Sequence, residues 1–90
     1  MGVICLHCFV SGRVQGVFFR RHAMDKAIAE GVKGYARNLA DGRVEVMICG
    51  EEPVVRAMES WLWQGPPAAS VTEVQSTEIP WQDFSHFEVR

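Results

Sequence analysis

From Ile4 to Val10 the chain alternates, with Leu6, Cys8 and Val10 on one side and Cys5, His7 and Phe9 on the other. A period of two marks a strand, and the side carrying Leu6, Cys8 and Val10 is expected to face the core. Gly12 and Gly16 interrupt the alternation, so residues 11–16 read as a loop. The period then changes: Phe19, Ala23, Ala27 and Ile28 recur at helical spacing, opposite Arg21, Asp25 and Glu30. Arg21 and Asp25 lie one turn apart and can pair across the surface for little gain. Gly31 is placed to stop this first helix, because glycine accepts the left-handed conformation after a last turn.

Residues 32–39 and 43–49 read as two more strands joined through Asp41-Gly42, a pair that favours the positive φ angles of a type I′ turn. In the second of these strands Val44, Val46 and Ile48 alternate with Glu45 and Met47, and Gly50 ends it. Glu51-Glu52-Pro53 opens a second helix: proline suits the first helical position, and acids favour the positive end of the dipole. Its apolar stripe is Val54, Val55, Met58, Trp61 and Leu62, and Gly65-Pro66-Pro67 stops it. Residues 71–79 form a more polar strand expected near a sheet edge, and Phe84, Phe87 and Val89 mark a short closing strand. The order is β-α-β-β-α-β plus one short C-terminal strand. It implies an α+β ferredoxin-like sandwich, two helices on one face of a mainly antiparallel sheet. In that arrangement the loop after the first strand and the end of the second approach the same end of the sheet.

Composition narrows the choice of function. Ninety residues, 48% hydrophobic and 22% charged, suit one globular domain over residues 1–90. Nine Lys+Arg against eleven Asp+Glu leave a net charge of −2, which argues against a nucleic-acid or polybasic membrane partner. Any anion site must therefore be a local arrangement. No segment reaches the roughly 18 apolar residues of a membrane span. The first ten residues lack the basic and long apolar stretches of a signal peptide. The three cysteines, Cys5, Cys8 and Cys49, leave at least one unpaired, which suits a reducing cytosol better than a disulfide scaffold. A cytoplasmic protein is expected.

Several residues read as structural. Cys5-x-x-Cys8 invites a zinc or redox role, but strand positions three apart face opposite sides and no second pair completes a tetrahedron. Cys8 is taken as core packing. His7, His22 and His86 share no ligand or triad spacing. His22 reads as a solvated helix residue, Trp63 as a surface aromatic and Arg37 as a solvated side chain beside Asn38.

The segment from Gly12 to Arg20 carries the candidate chemistry. Its glycines allow a tight turn and the close approach of a ligand. Successive N–H groups in such a loop can converge as a nest, and the following helix adds its positive end. Arg20, on the first helical turn, offers a planar guanidinium to two phosphate oxygens at once. Together they would neutralise a dianion without a metal. A glycine-bearing turn between strand and helix is more often only a turn. Val17-Phe18 after Gly16 excludes the nucleotide P-loop, and a suitably placed third glycine of the Rossmann fingerprint is missing.

Ser11-Gly12-Arg13-Val14-Gln15-Gly16-Val17-Phe18-Phe19-Arg20 resembles the first signature of the acylphosphatase family, G-x-V-Q-G-V-x-[FY]-R. Gly34-Tyr35-Ala36-Arg37-Asn38-Leu39-Ala40-Asp41-Gly42-Arg43-Val44, with Gly50 after it, resembles the second. Trp61-Leu62, Gly65-Pro66 and Phe87-Glu88-Val89-Arg90 are also similar to members, of the small single-domain bacterial type. The resemblance spans nearly the whole chain. It implies hydrolysis of acyl phosphates to a carboxylate and inorganic phosphate, with no metal and no cofactor. It also implies the site: phosphate on the backbone N–H groups of Arg13, Val14, Gln15, Gly16 and Val17 and on Arg20, and the attacking water held by Asn38. An amide is no useful base at neutral pH, so Asn38 would orient the water while the phosphate takes the proton. The expected partners are a small-molecule acyl phosphate and inorganic phosphate as product or competing ligand, with no nucleic acid or membrane, and the protein a monomer. A competing reading is a non-catalytic ferredoxin-like module that binds small anions or another protein. The joint presence of Arg20 and Asn38 at motif positions weighs against it.

Overall fold

The computed structural model describes residues 2–90. It runs β1 (Val3–Arg13), α1 (Phe19–Glu30), β2 (Lys33–Asn38), β3 (Val44–Glu51), α2 (Glu52–Gln64), β4 (Ser70–Ile79) and β5 (Phe87–Val89). The five strands form one sheet in the order β4-β1-β3-β2-β5, antiparallel except where β5 runs parallel to β2. Alternation along the strands decides its two faces. Leu6, Cys8, Val10, Ala36, Val44, Val46 and Ile48 point into the main core, where Phe19, Ala23 and Ala27 of α1 and Val55, Met58 and Leu62 of α2 meet them. This is the ferredoxin-like sandwich expected, with both helices on one face. The polar strand β4 lies at an edge, as its composition implied.

The opposite face carries a smaller cluster of Cys5, Tyr35, Met47 and Cys49, packed by Ile79 and Phe84. Beside it Glu45 is only 6% exposed, a carboxylate facing away from the helices. His7 Nε2 donates to it at 2.6 Å and Arg37 Nε at 2.9 Å. Burial pushes the Glu45 carboxyl upward, but His7 and Arg37 overcome this and hold it below the usual carboxylate range. Arg37 is thus not a free solvated side chain; its partner sits opposite in the β2–β3 register.

Three local expectations need correction. Strand β1 continues past residue 11 to Arg13, through a register shift against β4 between Ser11 and Gly12. The Asp41-Gly42 turn is not type I′, since among the described residues of that turn only Gly42 has positive φ, 95°. Leu39 N donates to Arg43 O at 2.8 Å and Gly42 N to Leu39 O at 3.2 Å, which makes a three-residue loop with glycine in its last position. Ile28 is 63% exposed: Phe19, Ala23 and Ala27 advance by four along one stripe, and residue 28 lies about 100° further round the helix.

Cys5 faces Cys49 directly across β1 and β3, and the two are joined by a disulfide. This overturns the reading of the cysteines as favouring a reducing setting. Cys8 alone is free, and it is buried in the core as expected. The bond links residues 44 apart, and closing a loop of that size stabilises a fold by about 2–4 kcal/mol. Reduction, or Cys49→Ala, is expected to lower Tm by roughly 10–25 °C. Thermal unfolding with and without reductant checks this, and an unchanged Tm would contradict it.

Candidate active site

After β1 the chain turns through residues 14–18 and enters α1. Val14 and Val17 anchor the turn by burying their side chains in the main core. The two glycines serve different ends. A Cβ on Gly12, where φ is 118°, would overlap the Ser70 carbonyl, so Gly12 lets β1 and β4 approach. Gly16, with φ 75° and nothing within 4 Å of an added Cβ, leaves its backbone open to a ligand.

Phe18 follows at the N-cap of α1 in the left-handed region, φ 61° and ψ 28°. A large residue rarely sits there, and Phe18 is 75% exposed. Its carbonyl accepts from His22 N at 3.0 Å and from His22 Nδ1 at 2.9 Å. Among the described residues no side chain caps the start of α1, and its first turn holds no acid. The first N–H groups of the helix, and the positive end of its dipole, are therefore available to an anion.

Arg20 and Asn38 come to this place from different elements. Arg20 is the second residue of α1, and its Nη1 donates to the Arg90 carbonyl at 2.9 Å. Arg90 in turn donates its N–H to Ala36 O at 2.8 Å, so the backbone beyond β5 links the guanidinium to β2. Asn38 is the last residue of β2, opposite Val44. A cavity of about 520 Å³ brings them together: Arg20, Arg21 and Asn38 supply its polar groups, Val14, Phe18, Phe19, Met24 and Val89 its apolar wall, with Gly16 at the loop.

The loop residues named from sequence divide in the structure. Val14 and Gly16 line the cavity, whereas Arg13 ends β1 opposite Ser70 and Val17 is core. The Gln15 side chain turns away to the β2–β3 connection. Phe18, Phe19, Arg21, Met24 and Val89 line the cavity without being assigned to the site from the motifs. Met24 lies four residues beyond Arg20 on α1, a spacing that points to it, whereas Arg21 at the next position has no such signal. Nothing local announces Phe18 or Val89. The lining holds two guanidinium groups and an amide but no carboxylate, histidine or thiol, and among the described residues no three such groups are placed to hold a metal ion. Such a surface suits an anion.

The family model described as acylphosphatase matches residues 6–89. The chain belongs to the acylphosphatase family. It is 48% identical over 88 residues to an acylphosphatase of Nitrosococcus oceani, covering 98% of this chain and 99% of that one. It is 59% identical over 71 residues to one of Chromohalobacter salexigens, covering 79% of each chain. A solved acylphosphatase structure from Coxiella burnetii superposes with a TM-score of 0.95 at 44% identity, covering 98% of this chain and 93% of that one. With relatives this similar over this much of the chain, acylphosphatase activity, that of a hydrolase acting on acid anhydrides, is the chain's activity too. No helix among the described residues is long and apolar enough to cross a membrane.

Proposed function

We propose that this acylphosphatase cleaves acyl phosphates by in-line attack of water on phosphorus. The phosphate is held by the loop N–H groups of Arg13, Val14, Gln15, Gly16 and Val17 and by Arg20, and the water by Asn38. One observation carries this reading: Arg20 and Asn38, on separate elements, line one cavity at the uncapped start of α1.

The chemistry asks little more of the protein. Phosphoryl transfer passes through a loose transition state with charge on the equatorial oxygens, so positioning and electrostatic stabilisation do most of the catalysis. The bond from phosphorus to the acyl oxygen breaks and its electron pair leaves on a carboxylate, a good leaving group. The bond from water to phosphorus forms, and the water's proton passes to a phosphate oxygen. Asn38 accepts from and donates to the water without deprotonating it. Phosphate monoesters, whose alkoxide or phenolate leaves less readily, are expected to be poor substrates.

Hydrolysis of benzoyl phosphate beside p-nitrophenyl phosphate, with and without EDTA, tests the reading. Turnover of the first only, unchanged by EDTA, is expected, since Arg20 and the N–H groups of the loop and helix start supply the positive potential. Loss of turnover on chelation, restored by Mg²⁺, would contradict it. Phosphate binding without hydrolysis would return the protein to a non-catalytic anion-binding module. The same proposal takes residues 1–90 as one domain, as ninety residues around one main core imply, and the protein as a monomer. It places the protein in the cytoplasm on the nature of its substrate, a small phosphorylated metabolite; the Cys5–Cys49 bond removes the cysteine argument.

A further inference from the structure

In-line attack requires two parts of the molecule to keep a fixed separation. One is the loop over residues 14–18 that faces the phosphate; the other is the end of β2 that carries Asn38. Both are ends of elements, where chains open most easily. One side chain joins them. Gln15 Nε2 donates to Leu39 O at 2.8 Å and to Arg43 O at 3.0 Å, across 24 and 28 residues of sequence. Both partners are carbonyl oxygens, so chemistry fixes which end of the amide is nitrogen, and both of its hydrogens are used.

The receiving end is itself braced. Leu39 and Arg43 close the hairpin with a backbone bond of 2.8 Å. Inside it Asp41 accepts from Arg43 N at 3.0 Å and from Arg43 Nε at 2.8 Å. Leu39 directly follows Asn38. The amide of Gln15 therefore clamps the phosphate loop to a stiff hairpin one residue away from the group that holds the water. We infer that the Gln15 side chain is a positioning residue for the hydrolysis, setting the loop at the distance from Asn38 that in-line attack needs. This role differs from the backbone N–H contact at the same residue, and it rests on the function proposed above.

Gln15→Met keeps the side chain's length and removes both donors, while Gln15→Glu sets acceptor oxygens against two carbonyls. In both, kcat on acetyl phosphate is expected to fall about 10–100-fold, the scale on which small misplacements of reacting groups act. The dissociation constant for inorganic phosphate, measured by calorimetry, is expected to stay within about threefold of the wild type. In an Asn38→Ala background, Gln15→Met is expected to lower kcat by less than about twofold more, because the group it positions has gone. Wild-type kcat in Gln15→Met overturns the inference. So do equal losses of kcat and phosphate affinity, an additive double mutant, or a Met variant that circular dichroism shows to be unfolded; each makes Gln15 a structural prop only. Failure of the parent reading looks different: the wild type would not hydrolyse acetyl phosphate, or Asn38→Ala would keep full turnover, and both proposals would then fall.

Discussion

Asn38→Ala is expected to lower kcat on acetyl phosphate about 10²–10³-fold while inhibition by inorganic phosphate changes little. The amide stands at the end of β2, on the rim of the cavity, and in the proposed mechanism it touches water and not the bound phosphate. Its loss should therefore be felt mainly in the transition state. Arg20→Ala should show the opposite pattern, with KM and the phosphate inhibition constant rising more than kcat falls. The guanidinium meets the dianion in ground state and transition state alike. Arg20→Lys keeps the charge but loses the fork, and with it the bond that now fixes Nη1 on the Arg90 carbonyl, so only partial recovery is expected. Steady-state kinetics with phosphate as competitive inhibitor separates the two patterns. Near wild-type turnover in Asn38→Ala would remove Asn38 from the mechanism.

Gly34→Ala is expected to destabilise the fold by more than about 4 kcal/mol, a size reached only by a few kinds of substitution. Gly34 lies inside β2 with φ 142°, between Ile48 of β3 and Phe87 of β5. A Cβ there would overlap the Met47 carbonyl oxygen, which is backbone and cannot swing aside. Relief would have to come from separating β2 from β3, the pairing that sets Asn38 in place. The expected fall in Tm is roughly 15–30 °C, or failure to fold at all. Gly2→Ala is the control, since an added Cβ there meets nothing within 4 Å; it should change stability by less than about 0.5 kcal/mol. Thermal and urea unfolding of the two variants check the contrast, and a mild Gly34→Ala would mean that β2 can shift without cost.

Gly34 also shows what could be read from the residues and what could not. The second signature includes this glycine, but the reason for it, a carbonyl of the neighbouring strand, exists only once β2 and β3 are in register. The periodic features were legible because they follow from local geometry: Leu6, Cys8 and Val10 on one face of β1, the stop at Gly31, the polar edge strand β4. Features that depend on pairing across the sheet were not. In sequence Cys5 has Cys8 three residues away, while its bonded partner Cys49 lies opposite it on β3. Arg37 looked solvated because Glu45 becomes its neighbour only through the hairpin. At the cavity, Arg20 and Asn38 stand out by their motifs, and their meeting follows from the ferredoxin-like order of elements. The apolar wall contributed by Phe18 and Val89 was out of reach. One depends on a left-handed backbone angle and the other on the parallel docking of β5 against β2.

The disulfide has a last consequence, for the third cysteine. With Cys5 and Cys49 bonded to each other, Cys8 is the molecule's one thiol, 0% exposed on a strand flanked by β3 and β4. Burial pushes its pKa to about 11, so in the native state it is neither reachable nor ionised near neutral pH. A thiol reagent can meet it only when the core between sheet and helices opens. The rate at which Cys8 becomes labelled is then a clock for the opening of the core, carried by the unmodified chain.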